Sequence, residues 1–302
     1  MSFVISNKQH LAPTEDRIQY EPMMFENKGV RIDKLDVSFG HPLYTAAVDI
    51  FYMALEDEEK SGRYIPIIPD GCMALVFKGK KVHDEPSQGF LCGTIDEVKK
   101  IYLEPEEYYV FIRFMPGTGY SLIKKEKNAG TIANAAIQIK GGVVGEEQML
   151  PVLEREIPLA ERAGLISKIV RVNLQNEPER YIIKYCTERI FQSQGNVRVE
   201  ELAEETGFTA RHIGKLFERC VGVSPKLYSQ IIKLQTSMDK ILESGDRRLV
   251  EIAVECGFFD HAHMNRMYKK LIRLSSGEFK KTLFSKLDYT LIDDYISVNE
   301  RQ

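Results

Sequence analysis

The spacing of hydrophobic positions changes character along the chain. Over the first hundred and twenty residues, short alternating or β-rich stretches fall at 30–37, 65–68, 73–77, 98–103 and 108–114. Gly, Pro, Asp and Asn separate them at strand-and-turn spacing, which predicts a β-barrel or sandwich. The stretch 41–55 reads equally as strand or helix. From residue 121 the period lengthens, and 148–154 and 159–174 are amphipathic at helical spacing. A polar QNEP at 175–178 marks a boundary. Beyond it helices are expected at 179–194, 199–205, 210–220, 225–243, 247–256, 261–270 and 277–284. The fold class is therefore α+β, a β-rich domain at 1–175 and an all-α domain at 176–286, with an acidic tail at 287–302. At 302 residues the chain is long enough for two domains with separate cores.

The helical part contains one pattern twice. LAEETGFTARHIGKLFERCVGVSP runs from Leu202 to Pro225, and IAVECGFFDHAHMNRMYKKLIRLSS from Ile252 to Ser276. Each opens with an apolar-Ala pair (Ala203, Ala253), small enough for two helices to cross closely. Gly207 and Gly257 follow, suited to the positive φ that ends a helix, and then Phe208 and Phe258. A second run carries Phe217 or Tyr268 on its buried face. Thr209 and Asp260 stand where N-caps are needed, Ser224-Pro225 opens the long helix between the copies, and Asp246 is a cap candidate for the second unit. The second copy has one extra residue, placed in its turn. Helix, tight turn and helix is the helix-turn-helix pattern, whose second helix enters a DNA major groove.

These residues resemble the DNA-binding domain of the AraC/XylS family of transcription regulators, over about residues 181–281. Ile252, Ala253, Gly257, Phe258, Asp260, Arg266, Lys269 and Lys270 match the family's second signature, and the 225–243 helix matches its linker helix. Met264 and Tyr268 replace phenylalanines, Arg273 stands where glycine is usual, and Ser276 where proline is usual. The resemblance implies a sequence-specific transcriptional regulator that reads two adjacent major-groove segments of double-stranded DNA. It also implies RNA polymerase as a partner if the protein activates.

Helix geometry turns the residues opposite Ile213, Leu216 and Phe217 outward: Arg211, His212 and Lys215, with Gly214 between them. In the second copy His261, Ala262, His263 and Arg266 face out. By resemblance, Arg211, His212, Lys215, His261, His263 and Arg266 are the expected base readers, since Arg forks onto guanine and His can donate to the same edge. Thr209, Lys226, Lys269, Lys270, Lys280 and Lys281 are expected at phosphates, which position without specifying. Gly214 thins the first reading face, so the second unit should carry at least as much specificity.

Net charge is −3, yet Lys and Arg exceed Asp and Glu by five across 179–286, so the rest of the chain sits near −8. A basic module joined to an acidic domain fits that asymmetry. Five scattered cysteines without a C-x-x-C pair suit reduced thiols. With no signal peptide and no apolar run of membrane-spanning length, a cytoplasmic protein without a membrane partner is expected. Cys256, His261 and His263 lack both a closed-site spacing and a fourth ligand, so no metal or cofactor is expected. His10, His41 and His83 are isolated, and G-x-S-x-G, P-loop and H-E-x-x-H motifs are missing, so no enzyme is expected.

The β-rich half is of a kind often fused to such modules, on the strength of IPIIPDGCMALVFKGK, GFLCGTIDE and FIRFMPGTGYSLI. It is expected to bind a small-molecule effector or to mediate a homodimer, with Tyr52, Asp70, Arg113 and Tyr120 as pocket candidates and 159–174 as a candidate partner helix. Pro69-Asp70-Gly71 is equally a plain turn signal. The rival reading is a ligand- or protein-binding interaction protein whose helical domain no longer reads DNA.

Overall fold

The computed structural model describes residues 29–35, 41, 46–80, 88–124, 128–153, 155, 157–174, 179–243 and 247–284. Asp246, His10, His83, the 175–178 boundary and the 287–302 tail lie outside the described residues. The strands are β1 (Val30–Leu35), β2 (Ala47–Leu55), β3 (Arg63–Ile67), β4 (Ala74–Lys80), β5 (Gln88–Cys92), β6 (Lys99–Leu103), β7 (Glu107–Phe114) and β8 (Ala136–Gln138). The helices are α1 (Ile139–Gly142), α2 (Glu146–Leu153), α3 (Leu159–Asn173), α4 (Glu179–Gln192), α5 (Val199–Thr206), α6 (Ala210–Cys220), α7 (Pro225–Glu243), α8 (Leu249–Glu255), α9 (His261–Ile272) and α10 (Ser276–Phe284).

Six strands form one antiparallel sheet in the order β1-β2-β7-β4-β5-β8, and β3 pairs with β6 in a separate ribbon. The ambiguous 41–55 stretch resolves as strand from Ala47 onward. Its IFYMAL run is apolar throughout because this central strand is covered on both faces. Successive residues point to opposite faces. Ile50, Leu75, Val110 and Ile112 pack toward the helical layer with Met149, Val152, Ile166 and Val170. Phe51, Met53, Val76 and Phe111 face the other way, against Ile65 and Leu103 of the ribbon. Phe51 lies opposite Phe111 in the register, and their rings stack at 4.7 Å. On α3, the candidate partner helix, Arg162 is buried. It donates to the Tyr108 hydroxyl at 2.7 Å and to the Arg155 carbonyl at 2.7 Å. Its apolar face is used for packing inside the chain.

The cores do not divide along the sequence boundary. The layer beneath the sheet continues through Leu122, Ala129 and Ile132 into Ile183, Ile213, Phe217, Cys220 and Val221 of the first helical unit. The second unit keeps its own core of Leu234, Met238, Ile252, Met264, Tyr268 and Phe279. Separate cores for the two domains, as expected from length, are thus corrected. Helices as short as α5 and α6 cannot bury their apolar faces against one another alone, and the β-rich half supplies the missing surface. Polar contacts follow the same seam. Thr94 Oγ1 donates to the Val221 carbonyl at 2.6 Å, the Val98 amide to the Leu271 carbonyl at 2.7 Å, and Gln235 Nε2 to the Pro69 carbonyl at 2.7 Å.

Candidate nucleic-acid interface and sheet cavity

In the first unit α5 stops at Gly207, whose φ of 72° is left-handed. Thr209 then caps α6, its hydroxyl accepting from the His212 amide at 3.2 Å. Ile213, Leu216, Phe217 and Cys220 turn inward, leaving Arg211, His212 and Lys215 exposed. The second unit repeats this construction. A Cβ on Gly257 would lie 2.2 Å from Asn196 Oδ1, and its φ is 75°, so only glycine fits there. Asp260 caps α9, accepting from the His263 amide at 2.6 Å. Cys256 is buried beneath the turn.

Helix α7 holds the two units together. Tyr228 packs on Phe217 with ring centroids 5.8 Å apart, and Ser237 Oγ bonds the Tyr268 hydroxyl at 3.0 Å. The Lys233 amine donates to the Gly257 carbonyl at 3.1 Å and sits 5.4 Å from the Phe258 ring centroid. Burial pulls its pKa below the usual lysine value. The turn of the second unit is therefore pinned by the linker helix.

The reading faces differ in how free they are. Arg211, Lys215 and Arg266 are exposed and have no polar partner among the described residues. His212 is exposed but stacked on Phe208 at 4.8 Å. His263 is exposed, and its Nδ1 accepts from the Phe259 amide at 3.4 Å. His261 departs from expectation. It is half-buried, with Nε2 3.0 Å from Ser276 Oγ and 3.3 Å from Asn265 Nδ2, so it braces α9 against α10 instead of standing open. Of the expected phosphate contacts, Thr209, Lys226, Lys269 and Lys281 are exposed. Lys270 bonds Gln230 at 3.1 Å, and Lys280 donates to the Arg247 carbonyl at 2.8 Å.

Of the four departures from the family signature, the two in the closing loop make specific local contacts. The amide and hydroxyl of Ser276 both donate to Asn265 Oδ1, at 2.9 and 2.7 Å, and proline could supply neither bond. Arg273 adopts a left-handed φ of 64° and forms an ion pair with Glu97. One residue escaped the sequence reading altogether. Phe259, the extra residue of the second turn, is 89% exposed immediately before the cap of α9. The insertion was legible, but an aromatic in a turn reads as a packing plug.

A cavity of about 380 Å³ lies between the sheet and the β3–β6 ribbon. Phe51, Met53, Val76, Ile101 and Phe111 make it mainly apolar, and Asp70, Lys99, Arg113 and Asn134 are its polar members. The structure therefore brings together two of the four pocket candidates. Tyr52 points to the opposite face of β2, stacked on Tyr108 at 5.6 Å, and Tyr120 is buried in the layer below the sheet. Arg113 is clasped by two carboxylates. Its Nε donates to Asp49 Oδ1 at 2.8 Å and its Nη1 to Asp70 Oδ2 at 2.9 Å. Burial opposes the guanidinium charge, but Asp49 and Asp70 more than offset it and raise its pKa. Burial also lifts the Asp70 carboxyl above the ordinary aspartate value, although Arg113 and the Cys72 amide pull the other way.

Residues 202–282 match a family model described as a helix-turn-helix domain, and residues 41–138 match a domain of unknown function, DUF6597. Among curated relatives, an uncharacterised HTH-type transcriptional regulator of Haemophilus influenzae is 25% identical over 92 residues, 30% of each chain. The lactose operon transcription activator of Staphylococcus xylosus is 22% identical over 111 residues, 37% of this chain and 38% of its own. The regulator YbfI of Bacillus subtilis is 33% identical over 69 residues, 23% of this chain and 24% of its own. The chain thus spans about a third or less of the length of these relatives, with 38% the highest share. The solved structure of ToxT from Vibrio cholerae O395 aligns with 85% of this chain and 99% of its own at a TM-score of 0.41 and 13% identity. No helix among the described residues is long and apolar enough to cross a membrane. The C-terminal part of the chain is an AraC-type helix-turn-helix domain, joined to an N-terminal DUF6597 domain.

Proposed function

We propose that the protein is a sequence-specific DNA-binding transcription regulator in which α6 and α9 read two successive major-groove segments. The observation that carries this reading is the paired construction: two capped helices fixed to one linker helix, each presenting unpartnered Arg or Lys side chains to solvent. Arg211 and Arg266 are free to fork onto base edges, and Lys215 is free to donate from its ammonium group. His212 and His263, already engaged with neighbouring groups, fill out the two faces. Lys226, Lys269, Lys270, Lys280, Lys281 and Thr209 contact phosphates in this reading, positioning the helices without specifying sequence. Phe259 adds an apolar group beside α9 suited to a thymine methyl or a sugar.

The N-terminal domain modulates this reading, either through a small molecule or by pairing two copies. The name of the S. xylosus relative as an activator supports RNA polymerase as a further partner. Selection of bound sequences from a random duplex library tests the proposal. Two conserved elements are expected with centres about 10–10.5 base pairs apart, one helical turn. Failure to enrich any sequence, together with no binding of random duplex at low salt, overturns it.

A further inference from the structure

The cavity wall and the two reading helices share one short segment. Gly93 and Ile95 line the cavity, while Thr94, Glu97 and Val98 of the same segment hold the helical units. Thr94 Oγ1 donates to the carbonyl of Val221, the C-cap of α6. The Val98 amide donates to the carbonyl of Leu271 in the last turn of α9, and Glu97 pairs with Arg273, the C-cap of the same helix. Three residues of one six-residue segment therefore touch the C-terminal ends of both reading helices. The segment is also tied to the cavity side. The Gly93 amide donates to the Ala135 carbonyl at 2.9 Å, and Asn134 donates to Thr94 at 3.0 Å and accepts from the Asp96 amide at 3.1 Å. A Cβ on Gly93 would lie 1.9 Å from the Ile132 carbonyl oxygen, so the two segments approach too closely here for any side chain.

The lining also limits what can enter. The guanidinium of Arg113 is already held by Asp49 and Asp70, and Lys99 lies 3.3 Å from Glu97. Each cation on the wall has a carboxylate partner, so an anionic ligand would have to displace one. Apart from Asp70, Asn134 and the thiols of Cys72 and Cys92, the remaining side chains of the lining are aliphatic or aromatic. Scaling from an engineered cavity of about 150 Å³ that holds benzene, a volume of about 380 Å³ accepts on the order of fifteen non-hydrogen atoms.

We propose that the cavity between sheet and ribbon takes an uncharged, largely apolar molecule, and that the segment from Gly93 to Val98 transmits its occupancy to both reading helices. The inference deepens the regulator reading and rests on it for the role of α6 and α9. A ligand that spreads Ile95 from Phe51 and Phe111 pushes on Thr94 and Val98 in the same motion. The relative setting of the two reading helices changes, and with it the match to two groove segments a fixed distance apart.

The probes are N-phenyl-1-naphthylamine, which is neutral, and 8-anilino-1-naphthalenesulfonate, the same skeleton bearing a sulfonate. With the full chain, saturable fluorescence binding of the neutral probe is expected. The sulfonate should bind at least ~100-fold more weakly, because a buried unpaired charge is costly. Ala74→Phe fills the cavity and should weaken the neutral probe by at least ~10-fold. Val76→Phe serves if that variant loses cooperative unfolding. Hydrogen exchange then reads the coupling. The neutral probe should change amide protection at 218–222 and 270–274 in the parent chain. In Thr94→Val, or in Glu97→Gln if the first misfolds, that response should be lost at the contact removed while probe affinity stays within ~2-fold. Equal binding of both probes, binding insensitive to both filling variants, or unchanged protection at saturating probe each overturns the inference. None of these readouts contains DNA, so a failure of the regulator reading registers separately, in the duplex selection.

Discussion

Replacing Arg113 by Met tests how the β-rich domain tolerates its buried charges. The guanidinium is about 6% exposed, sits 5.3 Å from the Phe51 ring centroid and donates to both Asp49 and Asp70. Methionine keeps an apolar stem of similar reach but leaves two carboxylates without their cation. Removing one member of a buried charge cluster costs about 3–5 kcal/mol. The pH dependence follows from Asp70, whose folded pKa is raised above its ordinary value of 3.8. A carboxyl with a raised folded pKa favours the native state when protonated, and that contribution is lost as pH rises through the folded value. Arg113 is the main charge holding that value down, so its loss raises it further and enlarges the cost at neutral pH. Urea unfolding from pH 7 toward pH 4 should therefore show the variant's deficit shrinking with acid. Changing Asp49 and Asp70 to Asn together with Arg113→Met should recover most of the stability. A deficit below ~1 kcal/mol at pH 7, or one that grows in acid, refutes the reasoning.

Four further outcomes can be checked. Arg266→Ala should weaken binding of the selected duplex by about 1–3 kcal/mol and spare random duplex, whereas an equal loss on both marks a phosphate contact. Phe259→Ala should leave thermal stability within about 0.5 kcal/mol, since the ring is 89% exposed, yet reduce duplex affinity in a gel shift. Gly214→Ala should stabilise α6 by about 0.5–1 kcal/mol, because an added Cβ meets nothing within 4 Å; a simultaneous loss of DNA affinity would show that the backbone approaches the bases there. Arg273→Gly should relieve about 1–2 kcal/mol of left-handed strain and lose an exposed ion pair worth no more than ~1 kcal/mol, so a chain less stable to urea would contradict this balance.

The helical half was the more readable because its signals are local. Thr209, Asp260 and Ser224 announce their helices within three residues, and the structure places caps at each. Helices α6 and α7 begin and end where the amphipathic spacing puts them. The β-rich half was readable as strands but not as faces. In IFYMAL both neighbours of any residue are apolar, so nothing in the period says that Tyr52 turns from the cavity while Phe51 turns toward it. Strand β8 is three residues long and joins the sheet only through β5. His261 was misplaced for a related reason. Its partner Ser276 is fifteen residues away, and only the packing of α10 on α9 brings them together. Segment 93–98 meets α6 and α9 through contacts more than a hundred residues distant, which no periodicity records.

The shared apolar layer bears on modularity. Cys220, Val221 and Phe217 of the first helical unit are buried against Leu122, Ala129 and Ile132, and Gly222 sits within 3.1–3.5 Å of Ala129 through the position a Cβ would take. Helix-turn-helix cassettes are commonly treated as interchangeable parts. Here a graft of residues 179–284 onto a foreign sensor would strip the first unit of its lining while leaving the second unit's core whole. A workable chimera must bring the 119–143 segment along with the helices, and a lineage exchanging such cassettes by recombination would find its tolerated breakpoints upstream of that segment and not at the polar linker.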